Sequence, residues 1–190
     1  MDIKAFIFDM DGLLFDSERI VQRSWEIAGD ELGIPHMGDV IYHTLGMNRA
    51  GRNEYFRKYI REDFPFEEFG KLTRDNFWKI VDKEGLPLKK GAKELLAYGK
   101  SQGYKMAVAT SSSREYAMGN LIRAGIDSHF DSVVCGDMVK KAKPDPEIYQ
   151  KACESLGIQP EYCMAFEDAP GGILSAHQAG MQVIMVPDLV

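Results

Sequence analysis

Short apolar runs that stop at polar or glycine-rich breaks recur along the chain. Ala5-Phe6-Ile7-Phe8 ends at Asp9-Met10-Asp11-Gly12, and similar runs stand at Lys105–Ala109, Ser132–Cys135, Cys163–Phe166 and Gln182–Val186. Each is too brief for a typical helix and holds no helix breaker, so each predicts a buried strand. Between them, helix-like segments run over Ala92–Gln102, Arg114–Ala124, Pro146–Leu156 and Gly172–Ala179. The last three are followed directly by Gly125, Gly157 and Gly180, the residue type that most readily takes the left-handed conformation ending a helix. Strand and helix alternate, and that order predicts an α/β fold with a parallel sheet and crossover helices.

The stretch from about Ser17 to Leu86 breaks the alternation. Val21, Trp25, Ala28 and Leu32 follow a possible Ser17 cap at helical spacing, and further helices are expected at Arg49–Ile60 and Phe66–Glu84. Gly85 and Pro87 mark the return. The expected organisation is therefore a Rossmann-like parallel α/β core domain of residues 1–16 and 88–190, with an all-helical domain of residues 17–87 inserted after the first strand.

Composition narrows the class. The 190 residues are 45% hydrophobic and 27% charged, which fits a globular chain and argues against disorder or a coiled coil. A net charge of −6 disfavours nucleic acid and anionic membrane surfaces as partners, so an anionic ligand would need local attraction. Cys135, Cys153 and Cys163 are odd in number with no C-x-x-C spacing, so neither a disulfide framework nor a zinc site is expected. A reducing, cytoplasmic setting fits that usage. No basic leader with a long apolar stretch and no apolar run of membrane-spanning length is visible. The sequence leaves the oligomeric state open, and a monomer is compatible with it.

In a parallel sheet, ligands bind beyond the carboxyl ends of the strands. Those ends are polar here. The first strand leads to Asp9 and Asp11, the second to Thr110 and Ser111, the third through Asp137 to Lys143-Pro144, and the fourth to Glu167-Asp168. Carboxylates brought that close raise one another's pKa unless a cation neutralises them, and oxygen-only ligation suits Mg²⁺. Lys143 supplies a fixed positive charge, while the Thr110 hydroxyl and backbone N–H groups after it can donate to an oxyanion. Asp9 and Asp11 would share one face if the strand stays extended. One could then attack phosphorus while the other handles protons. An EF-hand loop is excluded because Leu13 and Leu14 stand where it needs an oxygen ligand and a glycine, and no P-loop or G-x-G-x-x-G fingerprint is present.

The run Asp9-Met10-Asp11-Gly12-Leu13-Leu14-Phe15-Asp16-Ser17 resembles the first motif of the haloacid dehalogenase-like hydrolases, in the subgroup of β-phosphoglucomutase and small-molecule phosphatases. Thr110, Lys143-Pro144 and Glu167-Asp168 fit the second, third and fourth motifs in order, and the helical insert looks like the family's cap. The resemblance implies a Mg²⁺-dependent phosphatase acting on a small phosphorylated metabolite of the sugar-phosphate kind. Asp9 would be the nucleophile and Asp11 the acid/base. Asp9, the Asp11 carbonyl and Asp168 would hold the metal, with Glu167 as a further metal-site carboxylate. Thr110, Ser111 and Lys143 would bind the phosphoryl group, and closure of the cap would exclude water. Arg49 falls where the family's cap presents a specificity loop, with His43 and Arg52 as weaker candidates and Trp25 reading chiefly as core. A phosphomutase is the nearest rival. Its cap histidine and loop lysine are replaced here by Val21 and Leu45, which favours hydrolysis. A binding protein without turnover would have lost a catalytic aspartate, and both are intact. The family continues for a further helix and strand past the fifth strand.

Overall fold

The computed structural model describes residues 2–44 and 49–187, with backbone alone at 49 and 50. The chain forms two compact units, one built from the residues up to Asp16 and from Leu86 onward, the other from Ser17–Gly85.

The first unit is an α/β domain. Five strands, β1 (Ala5–Phe8), β2 (Lys105–Thr110), β3 (Ser132–Cys135), β4 (Cys163–Glu167) and β5 (Gln182–Met185), form one parallel sheet in the order β3-β2-β1-β4-β5. Alternation along the strands sorts the side chains into two layers. On one face Ala5, Ile7, Ala107, Ala109 and Ala165 are small enough for α7 (Glu147–Leu156) and α8 (Pro170–Gln178) to pack closely, with Ile148, Tyr149, Ala152 and Ala176 completing the core. The other residues of the same strands are larger: Phe8 stacks on Phe166 with ring centroids 5.0 Å apart, and Phe6 stacks on Tyr104. Helices α5 (Ala92–Ser101) and α6 (Arg114–Arg123) complete the unit.

Register fixes where the chemistry can sit. Phe8 is level with Val108 on one side and Phe166 on the other, so the next residues along the three central strands are Asp9, Ala109 and Glu167. The Asp9 N–H donates to the Phe166 carbonyl at 3.0 Å, holding the chain beside β4 past the end of β1.

The second unit contains α1 (Ser17–Glu31), α2 (Met37–Thr44), α3 (Arg49–Tyr59) and α4 (Phe66–Glu84). Trp25, Met37, Ile41, Phe56, Phe64 and Phe69 share its core, and Trp25 meets Phe56 and Phe69 edge-on. Helix α2 was not expected. Pro35 and Gly38 punctuate that stretch as a turn, and the apolar spacing Met37, Val40, Ile41 spans too few residues to stand against them. Helix α8 begins at Pro170, two residues before its expected start, because proline is tolerated in the first turn where its missing N–H has no partner. Among the described residues, no helix is long and apolar enough to cross a membrane.

Candidate active site

Lys143 is the hub. Its Nζ lies 2.5 Å from Asp9 Oδ1 and 2.7 Å from Glu167 Oε1, and donates to the Ala109 carbonyl at 3.0 Å. Its side chain is 10% exposed, so these pairs are shielded from water, and removing one partner would leave an uncompensated buried charge. The segment that delivers it is held at several points. The Asp145 carboxylate accepts the Glu147 N–H at the start of α7, the Glu147 carboxylate accepts the Lys140 and Lys141 N–H groups, and Ser175 of α8 donates to the Asp145 carbonyl. The Lys143–Pro144 peptide is cis.

Glu167 accepts four hydrogen bonds. Oε1 receives Lys143 and the Tyr149 hydroxyl, the latter at 2.8 Å, while Oε2 receives the Asp168 and Ala169 N–H groups. A carboxylate has about four lone-pair sites, so Glu167 is fully engaged. Its surroundings are equally tight, because a Cβ on Gly172 would overlap the carboxylate.

Asp9, Glu167 and Asp168 each present an oxygen within 4.8 Å of the others. Burial pushes the Asp9 carboxyl up to about 7; Lys143 opposes that shift, and Glu167 and Asp168 add to it. On Lys143, burial favours the neutral amine, but the Asp9 and Glu167 carboxylates outweigh it and hold the ammonium above its ordinary pKa. One buried ammonium among three carboxylates leaves an excess of negative charge, and all the donors are hard oxygens. That set fits a small divalent cation.

Asp11 stands apart from this cluster. The chain does not continue extended after Asp9: the Leu14 and Phe15 N–H groups both return to the Met10 carbonyl, and Gly12 takes φ 84. Only glycine adopts that backbone conformation without strain. The condition for Asp9 and Asp11 to share a strand face, an extended chain through both, is not met, because β1 ends at Phe8 and a turn closes on Met10. The Asp11 carboxylate instead accepts from Ser112 Oγ at 2.8 Å and from the Tyr116 hydroxyl at 3.1 Å, on the loop and first turn that follow β2. Burial and the Asp11 charge both push the Tyr116 phenol well above its ordinary pKa, so it stays a neutral donor.

Thr110 is buried at the end of β2, and its hydroxyl accepts the Ser112 N–H at 3.1 Å while keeping its proton to donate. Ser111 has an exposed side chain. Its carbonyl passes so close to Gly136 that a Cβ there would overlap it. Asp137 caps the start of α6 through the Arg114 N–H.

Arg49 opens α3, and its side chain lies outside the described residues, as does Leu45. In the helical unit, Trp25, Arg52, Asn53, Thr73 and Arg74 help line a cleft of about 330 Å³, with the Arg52 guanidinium 5.6 Å from the Trp25 ring centre. The ring of His43 stacks on Tyr55.

Sequence reading missed Tyr149, Ser112 and Tyr116. Ser112 carries a faint signal as the middle of three serines after Thr110, whereas Tyr149 looks like any apolar-face residue of an amphipathic helix.

A family model described as haloacid dehalogenase-like hydrolase matches residues 6–186. The chain is 33% identical to a phosphorylated carbohydrates phosphatase of Thermotoga maritima over 96% of its length and 84% of that protein. It is 32% identical to hexitol phosphatase A of Escherichia coli, covering 98% and 84%. Among solved structures, it superposes on a β-phosphoglucomutase of Clostridium difficile with a TM-score of 0.68 at 25% identity, covering 96% of this chain and 84% of that one.

Proposed function

The chain belongs to the haloacid dehalogenase-like hydrolases, and we propose that it is a Mg²⁺-dependent phosphatase that hydrolyses a small sugar phosphate through an aspartyl-phosphate on Asp9. The observation that carries this reading is the Lys143 ammonium locked between Asp9 and Glu167 at the carboxyl ends of the central strands. A carboxylate beside a fixed cation is equipped to meet a dianionic phosphoryl group, which a lone carboxylate would repel. The sugar-phosphate class is taken from the phosphatases to which the chain is similar.

Asp9 attacks phosphorus and releases the alcohol, while Lys143 and the Thr110 hydroxyl donate to the phosphoryl oxygens. Asp11 gives a proton to the leaving oxygen and then takes one from the water that opens the acyl phosphate. Ser112 supports both states of Asp11, because a hydroxyl can turn from donor to acceptor when the carboxyl is protonated. Asp9 and Asp168, with the Asp11 carbonyl, would hold Mg²⁺, whose contribution when bound is to neutralise charge on the phosphoryl oxygens. Glu167 is assigned a positioning role: with four hydrogen bonds already accepted, it anchors Lys143 instead of reaching the metal. Substrate choice is assigned to the helical unit, whose cleft presents two arginines and an aromatic wall to a polar anionic ligand.

The likeness to a β-phosphoglucomutase favours a second reading, in which the phosphoryl group returns to a sugar. One experiment separates the two. Inorganic phosphate release is followed over a panel of sugar and hexitol phosphates, including β-glucose 1-phosphate, with and without Mg²⁺ and with Asp9→Asn as the blank. Mg²⁺-dependent release that the variant lacks supports the phosphatase. Glucose 6-phosphate formed without phosphate release would replace it with the mutase.

A further inference from the structure

Two side chains of α7 reach β4, one turn apart on the helix. Tyr149 and Cys153 are four apart on α7 and so share a face, and Glu167 and Cys163 are four apart on β4 and share one of its faces. At one rung the Tyr149 hydroxyl donates to Glu167 at 2.8 Å; at the other, Cys153 Sγ lies 3.6 Å from Cys163 Sγ. We infer that Cys153 and Cys163 are a site of oxidative modification, closing to a disulfide under peroxide and lowering the hydrolase activity through the neighbouring rung.

Three observations support it. The sulfurs are already in contact and free. Cys153 lines a cleft of about 560 Å³, together with Gln150, Glu154 and the loop Gly157–Pro160, giving a small oxidant a route to a pair that is otherwise buried. The two thiols are also polarised in one direction, Cys153 donating to Cys163 and Cys163 donating to the Gln159 carbonyl at the edge of the same cleft. The bond from Cys153 favours the Cys163 thiolate and pushes Cys153 above its ordinary pKa; on losing its proton Cys163 gives up its own bond to Gln159.

The chemistry balances with peroxide as the oxidant. A thiolate displaces hydroxide from peroxide to give a sulfenic acid, and the second sulfur then displaces the hydroxyl, so two thiols and one peroxide yield one disulfide and two waters. A disulfide needs sulfurs about 2.05 Å apart, so the pair must close by about 1.5 Å. Side-chain rotation supplies part of that closure, and the part taken up by α7 is carried to Tyr149, one turn away, and so to Glu167 and Lys143. Misplacement of catalytic groups by about 1 Å can cost about 100-fold in rate.

The effect on turnover rests on the active site proposed above, but the modification does not, and the test reads them separately. The full chain is treated with hydrogen peroxide and divided for thiol titration, intact mass and phosphate release, before and after dithiothreitol. Cys153→Ala, Cys163→Ala and Cys135→Ala are treated alongside. The inference expects a loss of two thiols and about two hydrogen masses, a cross-linked peptide joining Cys153 to Cys163, and at least about tenfold loss of activity that dithiothreitol restores. Cys135→Ala should respond like the parent, while the other two keep their activity in peroxide. Three thiols still titrating after peroxide would overturn it, as would a disulfide that leaves activity unchanged or equal inactivation of Cys153→Ala. An untreated parent with no phosphatase activity would instead sink the proposed function, with the thiol and mass results still deciding the modification.

Discussion

Tyr149→Phe removes one oxygen and leaves the ring, which is fully buried between α7 and the sheet. That oxygen donates to Glu167 Oε1 at 2.8 Å and lies 3.3 Å from Lys143 Nζ. A hydrogen bond to a charged group is worth about 1.5–3 kcal/mol. The lower part of that range applies, about 1.5–2 kcal/mol, because Glu167 keeps Lys143 and two backbone N–H groups. For a chain of this size each kcal/mol moves the midpoint by about 2–4 °C, so Tm should fall by about 3–8 °C in a thermal melt. Activity should fall further than the fold does. With one support of Glu167 gone, Lys143 is held less firmly against the phosphoryl group, and kcat should drop about tenfold with KM changed much less. A Tm within about 1 °C of the parent, together with unchanged kcat, would show that the hydroxyl fills space and holds nothing, and would refute the positioning role given to Glu167.

Other perturbations reach different parts of the site. Gly172→Ala places a methyl in the Glu167 carboxylate and should cost about 1–3 kcal/mol by denaturant titration, whereas Gly171→Ala, with open space around its Cβ, should be neutral or stabilising by up to about 1 kcal/mol. Equal effects at the two glycines would contradict the close approach. Asp168→Asn removes a charge from the three-carboxylate cluster and should raise the Mg²⁺ concentration for half-maximal activity by about tenfold or more; an unchanged metal titration would remove Asp168 from the metal site. Ser112→Ala and Tyr116→Phe each delete a hydrogen bond to Asp11 and should lower kcat about tenfold with little change in KM, so a rise in KM alone would reassign both to substrate binding.

What could be read before the structure, and what could not, follows from how local each signal is. Strand ends are visible in a one-dimensional pattern, and parallel strands gather their ends in one place, so Asp9, Lys143, Glu167 and Asp168 could be expected to converge, and the structure does bring them together. Thr110 and Glu167 are the last residues of β2 and β4, as the polar ends of those runs imply. Tyr149 could not be found this way, because its partner is 18 residues distant and meets it only once α7 packs on the sheet. The turn that presents Asp11 to Ser112 and Tyr116 depends on backbone bonds to the Met10 carbonyl that no spacing rule anticipates. Glu167 shows the limit most plainly. Its residue type and its place in the carboxylate cluster suit a metal site, while its hydrogen-bond donors, visible only in the structure, favour the anchoring role proposed above.

Covalent catalysis by Asp9 is the central claim, and acid quenching tests it most directly. The enzyme is mixed with Mg²⁺ and a sugar phosphate labelled in its phosphoryl group, stopped in acid within the first turnover, and digested for peptide mapping. Label on the peptide containing Asp9, absent when Asp9→Asn is treated in parallel, is the predicted result. Label on another residue, or steady phosphate release with no labelled protein and full activity in Asp9→Asn, would contradict it.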